Sequence, residues 1–257
     1  ASPCRSSAIT TTRRQSACGG SRRRSCCAVS KAIPPLEKAE ASEGIERQGL
    51  VLAGLTRLKQ VCNHPAHYLD DGSELAGRSG KLSRCEELLA AILEAGEKSL
   101  IFTQYTAWGQ RLATHLASRC GVEILWLHGG LSRARRDDLV ECFAEADGPP
   151  VFLLSLKAGG TGLNLTAASQ VIHFDRWWNS AVEDQATDRA HRLGQRRTVH
   201  VHKLVCAGTV EERIDALIRG KRDLARRVVG SGEQALSQLS TEELRELIRL
   251  RDPEGSP

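Results

Sequence analysis

Five short apolar runs constrain this chain more than any other feature: "SLIFT" (99–103), "VEILWL" (122–127), "VFLLS" (151–155), "QVIHF" (170–174) and "VHVHKLV" (199–205). Most are apolar nearly throughout rather than at alternate positions, which is the pattern of strands covered on both faces. Helical patterns separate them. One runs from about Thr106 to Cys120, one surrounds "RRDDLVECFAEA", and one is expected over "DQATDRAHRLGQRR" (184–197). Strand and helix in alternation predict an α/β fold, a parallel β-sheet sandwiched by helices. Ligands bind such sheets outside the carboxyl ends of the strands. That rule selects Gln104–Tyr105, His128–Gly130, Ser155–Gly162 and Asp175–Trp178 as one functional rim.

The flanks read differently. Residues 1–35 are rich in Ser, Arg and Cys and lack apolar periodicity, so they are expected to be a disordered or non-native basic tail. Residues 36–80 form a helical lead-in, with Leu52, Leu55, Leu58 and Val61 at helical spacing. A further amphipathic helix, "KLSRCEELLAAILEAG", ends at Gly96 and opens the α/β domain assigned to 81–208. Residues 209–257 form a C-terminal helical appendage. Thr209 with Glu212 and Ser240 with Glu243 have the spacing of capping boxes, and "GSG" at 230–232 is a linker.

Charge refines the picture. The formal net charge is +5, but residues 1–36 hold seven basic side chains and no acid. The remainder has 29 basic against 31 acidic residues. Any nucleic-acid site in the folded part is therefore a local patch. No run of about 20 apolar residues exists, so no membrane span is expected, and no secretory leader is recognisable. The sequence contains no methionine, the mark of a processed product or a fragment. Its nine cysteines show no framework spacing, which fits a reducing cytosol.

Three patterns do not carry chemistry. Cys62, His64 and His67 lack a fourth ligand at finger-like spacing, so no metal is expected. "GRSGKLS" is not a phosphate loop, because Leu82 follows Lys81 and Leu75 fills the first glycine position. Glu86 and Glu87 are neighbours on a helix and point apart.

The loop "SLKAGGTGLNLTAAS" is different. Gly159, Gly160 and Gly162 follow an apolar strand and free backbone N–H groups for an anion. Ser155 and Lys157 stand at the strand end, where a hydroxyl and an ammonium suit a nucleic-acid phosphate. His128 and Gly129 repeat the arrangement, with Ser132 placed to cap the next helix. Trp177 and Trp178, beside Asn179, leave two readings open: one ring in the core and one against a nucleic-acid backbone or partner domain, or both buried in the core. Gln185, Arg189 and Arg192 align on one face if their segment is helical. Two readings of that triplet remain open: a salt-bridged surface helix with an Asp188–Arg192 pair, or a phosphate site that neutralises charge on a transferring phosphoryl group.

In this order "LKQVCNHPAHYL", "SGKL", "KSLIFTQYT", "LHGGLSRARRDDLVECF", "SLKAGGTGLNLTAASQVIHFDRWWN" and "DQATDRAHRLGQ" resemble the second RecA-like lobe of Swi/Snf-type ATPases of helicase superfamily two. The resemblance runs from about Leu36 to Leu250, and the late motifs look most like bacterial members. It implies a DNA-stimulated ATPase that translocates on double-stranded DNA. Its ATP and Mg²⁺ would lie in a cleft shared with an N-terminal RecA-like lobe, which would hold most of the metal. By the same resemblance Arg189 and Arg192 are arginine fingers with Gln185 beside them, and Gly160, Gly162 and Asn164 face the nucleotide. Gln104, His128, Gly129, Ser155, Lys157, Trp178 and Asn179 line the DNA track. Implied partners are duplex DNA, the N-terminal lobe, and RNA polymerase or other DNA-bound proteins. The implied setting is the bacterial cytoplasm and nucleoid. Two departures matter. The N-terminal lobe is absent, so this chain alone is expected to hydrolyse no ATP, and Ser180 stands where the family usually has proline. The alternative class is a non-catalytic DNA-binding or docking module with vestigial motor motifs.

Overall fold

The computed structural model describes residues 32–155, 163–177, 179–192, 195, 197–216 and 240–249. Five strands form one sheet: β1 (Ser99–Thr103), β2 (Ile124–Leu127), β3 (Val151–Ser155), β4 (Gln170–His173) and β5 (His200–Lys203). Their spatial order is β2-β3-β1-β4-β5, and every pairing is parallel. The central strand β1 registers Ser99 against both Val151 and Gln170. All five residues of β1 and of β3 are buried, as their unbroken apolar runs require. One core joins Leu100, Phe102, Phe152, Leu154 and Val171 to Phe143 from one helix and Ala186 from another.

The helices of this unit include α5 (Thr106–Cys120), α6 (Arg133–Ala144) and α7 (Ser180–Thr187). Gly121 closes α5 in a left-handed conformation at φ 68°, where a side chain would be strained. Gly109, on the buried face of α5, leaves room for the Trp126 ring. A β-carbon there would lie 2.3 Å from that ring. Ser132 caps α6 by accepting from the Arg135 N–H, as expected. The parallel sheet flanked by helices that the apolar runs predict is therefore the fold observed.

A second unit is helical. It contains α1 (Pro34–Glu40), α2 (Gly44–Asn63), α3 (Pro65–Leu69), the start of α4 (Gly80–Glu94), helical residues 210–216 and α8 (Thr241–Ile248). Leu36, Leu55 and Val61 share a core with Val210, Ile214 and Leu244. Segments from both ends of the chain thus complete one apolar interior. The tail reading of 1–35 overlaps it, since Pro34 opens α1 and Ala32 is fully buried; residues 1–31 lie outside the described residues.

Inside this unit Lys81 is buried. Its Nζ donates to Glu211 Oε1 at 2.6 Å and to Asn63 Oδ1 at 3.0 Å. Burial alone would lower the pKa of this ammonium, but the Glu211 carboxylate raises it above the ordinary lysine value. The second Glu211 oxygen accepts from the Cys206 N–H at 3.0 Å. His64 is engaged by backbone on both sides: Nδ1 accepts from Ala66 N–H, and Nε2 meets the Leu75 carbonyl at 3.0 Å. Cys62, Cys206 and Glu211 bring three donor atoms within 4.8 Å of one another, beside the Lys81 ammonium.

Of the two expected capping boxes, one forms as read and one does not. The Ser240–Glu243 capping box is present in full. The Thr209–Glu212 box is displaced, because Glu212 accepts from Gly208 N–H while Thr209 Oγ1 accepts from Glu211 N–H. Among the described residues no helix is long and apolar enough to cross a membrane. The linker at 230–232 lies outside the described residues.

Candidate functional site

The rim at the carboxyl ends of the strands is built around one carboxylate. Asp175, fully buried just beyond β4, accepts from Thr103 Oγ1 at 2.6 Å and from the Gln104 N–H at 3.0 Å. It thereby joins the end of β1 to the end of β4 and fixes the backbone that presents Gln104. The Gln104 side-chain Nε2 is buried and has no hydrogen-bond partner among the described residues. An amide donor left in this state is costly until an acceptor arrives.

Beyond β2, His128 lies against Trp126 with ring centroids 5.5 Å apart, and its Nδ1 accepts from Gly130 N–H. Arg136 reaches back from α6 to donate to the Gly129 carbonyl at 2.8 Å and to that of Leu131 at 3.0 Å. The turn is thus clamped by a cation while Gly129 itself stays exposed. Ser155 ends β3 with only 2% of its surface exposed, deeper than a phosphate contact at the rim requires. Lys157, Gly160, Gly162 and Trp178 lie outside the described residues. Trp177 packs against the sheet core, and Asn179 is half-buried.

The arginine segment departs from expectation. The helix predicted over 184–197 ends at Thr187, so Gln185 is helical while Arg189 and Arg192 lie in the turns that follow. The reason is tertiary. In a continuing helix the Arg189 carbonyl would accept from the residue four positions on; here it accepts from Leu165 N–H at 3.1 Å. Bonds tighten to three-residue spacing at Arg189 N–H to Ala186 O and Ala190 N–H to Thr187 O. Gln195 completes the turn, its Nε2 lying 3.0, 2.8 and 3.2 Å from the carbonyls of Thr166, Ala168 and Ala190.

These bonds set the backbone of the arginine turn beside the residues that enter β4. They also set it near Asn164, which is exposed and adjoins Leu165. Arg189 is 8% exposed, whereas Gln185 and Arg192 are exposed. Burial lowers the pKa of the Arg189 guanidinium, and the charge of Arg192 lowers it further.

Sequence reasoning passed over the residues that hold this architecture. Glu183, on α7, is fully buried. Its Oε1 accepts from Arg176 Nε and from the Trp177 N–H, both at 2.8 Å, and its Oε2 accepts from Lys203 Nζ at 2.8 Å. Burial alone would raise its pKa, but Arg176, His173 and Lys203 hold it near about 2. Its signal in the sequence is the spacing Glu183, Ala186, Ala190, all buried, which puts a carboxylate on the inward face of the segment. The strand-end rule had placed Asp175 on the rim without revealing its partners on β1, and Gln195 had no signal, because the carbonyls of Thr166 and Ala168 are distant in sequence.

Comparison with known proteins agrees with this architecture. Residues 80–194 match the model of the helicase conserved C-terminal domain. A Bacillus subtilis protein named as an ATP-dependent helicase/translocase, YwqA, is 51% identical over 209 residues, covering 80% of this chain and 22% of that protein. The chain spans about a fifth of the length of the curated relatives it matches. The C-terminal domain of a Sulfolobus solfataricus SWI2/SNF2 ATPase is 37% identical, with a TM-score of 0.75, over 90% of this chain and 95% of that structure. The core of that ATPase, solved in complex with double-stranded DNA, gives 39% identity and a TM-score of 0.78, covering 90% of this chain and 48% of that one.

Proposed function

The chain belongs to the SWI2/SNF2 family of helicase-like ATPases, and from that membership we propose that it is the second motor lobe of an ATP-dependent duplex-DNA translocase. It donates Arg189 and Arg192 to an ATP site shared with an N-terminal lobe. The observation that carries this reading is the bond from Leu165 N–H to the Arg189 carbonyl. It supports dividing the candidates into two groups. Asn164, Arg189 and Arg192 form a nucleotide group, with Gln185 on the helix leading into it. Gln104, His128 and Gly129 form a nucleic-acid group on the strand-end rim, which Lys157, Trp178 and Asn179 extend in sequence.

Each group suits its task chemically. Paired guanidinium groups meet the charge that spreads over a transferring phosphoryl group. Amide and imidazole donors on a clamped backbone suit phosphate contacts that position a duplex without reading its sequence. Mg²⁺ bound with ATP would be held mainly by the other lobe, as the family resemblance implies. The isolated lobe accordingly hydrolyses no ATP.

The test is substitution in the full-length protein. Arg189→Ala or Arg192→Ala lowers DNA-stimulated turnover by about 10³-fold or more, the scale of arginine fingers, while ATP binding is largely retained. Turnover within a few-fold of the parent, together with strong DNA affinity of the isolated lobe, would instead establish the docking-module reading.

A further inference from the structure

A buried cluster of charges sits between the two groups, and no step of the proposed reaction uses it. Glu183, Arg176 and Lys203 have side chains 0%, 6% and 11% exposed. Such clusters are expensive to bury, and well-packed apolar residues would often serve stability as well. Their placement is informative here. Arg176 and the Trp177 N–H belong to the segment leaving the carboxyl end of β4, within the rim, while Lys203 ends β5. Glu183 lies in the first turn of α7, whose far end leads into the arginine turn held by Leu165 and Gln195. The helix is a strut with one end bolted to the rim segment and the other to the arginines.

Resting on the motor reading above, we propose that Glu183 is a positioning residue that couples the nucleic-acid rim to the arginine turn: its carboxylate locks the Arg176–Trp177 segment and the end of β5 to the base of α7. Movement of the rim segment on engaging DNA is then transmitted along α7 to Arg189 and Arg192. The carboxylate touches neither nucleotide nor DNA and acts only through the strut. A displacement of about 1 Å at the arginines is enough to cost on the order of 10²-fold in rate.

The experiment compares Glu183→Gln, Lys203→Gln and Arg189→Ala in the full-length protein. It measures steady-state ATP turnover with and without saturating duplex DNA, together with duplex affinity and thermal unfolding. Glu183→Gln keeps the shape of the side chain and loses its charge. It lowers DNA-stimulated kcat about tenfold while KM for ATP and duplex affinity stay within about twofold, the split expected of an interaction used only in turnover. Lys203→Gln, which keeps the Arg176 and Trp177 contacts, lowers DNA-stimulated kcat about threefold with the same split and supplies the test if Glu183→Gln fails to fold. DNA stimulation equal to the parent in the folded variants overturns the coupling, as does a fall in stimulated and unstimulated turnover by the same factor. Full turnover in Arg189→Ala would overturn the motor reading itself, whatever the Glu183 variant does.

Discussion

Replacing Lys81 by methionine tests the interior of the helical unit most sharply. The Lys81 and Glu211 side chains are each 1% exposed and meet at 2.6 Å. The substitution keeps the volume of the aliphatic stem but takes the cation from Glu211 and a donor from Asn63 Oδ1. The buried carboxylate keeps its bond from the Cys206 N–H. Breaking one side of a buried pair costs about 3–5 kcal/mol, a loss of at least 10²-fold in the folding equilibrium. The more accessible Arg84–Glu87 pair, with side chains 30% and 60% exposed, is the control. Arg84→Ala changes stability by only about 0.3–0.5 kcal/mol. Removing both charges with Lys81→Met and Glu211→Leu recovers part of the loss, because no uncompensated charge remains while Asn63 Oδ1 and the Cys206 N–H each lose a partner. Urea unfolding followed by helical circular dichroism gives the magnitudes, and hydrogen exchange along α2 and α4 locates the loss. A single Lys81→Met variant within about 1 kcal/mol of the parent, or a double variant worse than the single, would refute the reasoning.

Two more expectations concern the α/β unit. His173 is fully buried, stacked on Phe102 with centroids 5.4 Å apart, and its Nε2 meets Thr187 Oγ1 at 3.0 Å. Burial lowers its pKa from 6.5 to about 4, with Lys203 and Arg176 adding to the shift and Glu183 opposing it. The unfolded chain therefore binds the proton more readily. Stability is complete above pH 6.5, falls as pH drops towards 4, and loses on the order of 3 kcal/mol in all. His173→Gln flattens the dependence between pH 6.5 and 5 in denaturant unfolding, and an unchanged slope would contradict the assignment. Gln195→Ala takes the shared amide donor from Thr166, Ala168 and Ala190, so exchange over 163–168 accelerates. On the motor reading, DNA-stimulated kcat of the full-length protein falls about tenfold at unchanged KM. Gln195→Glu, which presents no donor, does the same.

The elements legible in the sequence are those whose causes are local. The strand over 99–103 is read from five consecutive residues that are all buried, and the helix over 106–120 ends at a glycine in the left-handed region. Ser240 and Glu243 form their box because both partners lie within one turn. The end of α7 was illegible because a tertiary bond sets it: nothing between 184 and 197 announces that Leu165 will claim the Arg189 carbonyl. The same distance hides the site's supports. Gln185, Arg189 and Arg192 share a spacing visible on paper, whereas the partners of Glu183 come from β5 and the exit of β4. Asp175 earns its place only once β1 and β4 are neighbours in the sheet. Of the candidate residues on the glycine loop, Ser155 is buried and Asn164 exposed.

The strand order has a consequence for how such a chain is made. β1, at the centre of the sheet, finds its neighbours β3 and β4 only about 50 and 70 residues later. At a ribosome adding about 5–20 residues per second, its apolar residues wait several seconds for a partner on either side. A nascent polypeptide of this design is most exposed to trapping by chaperones, or by its own kind, in the interval after Thr103 has emerged and before Val151 follows.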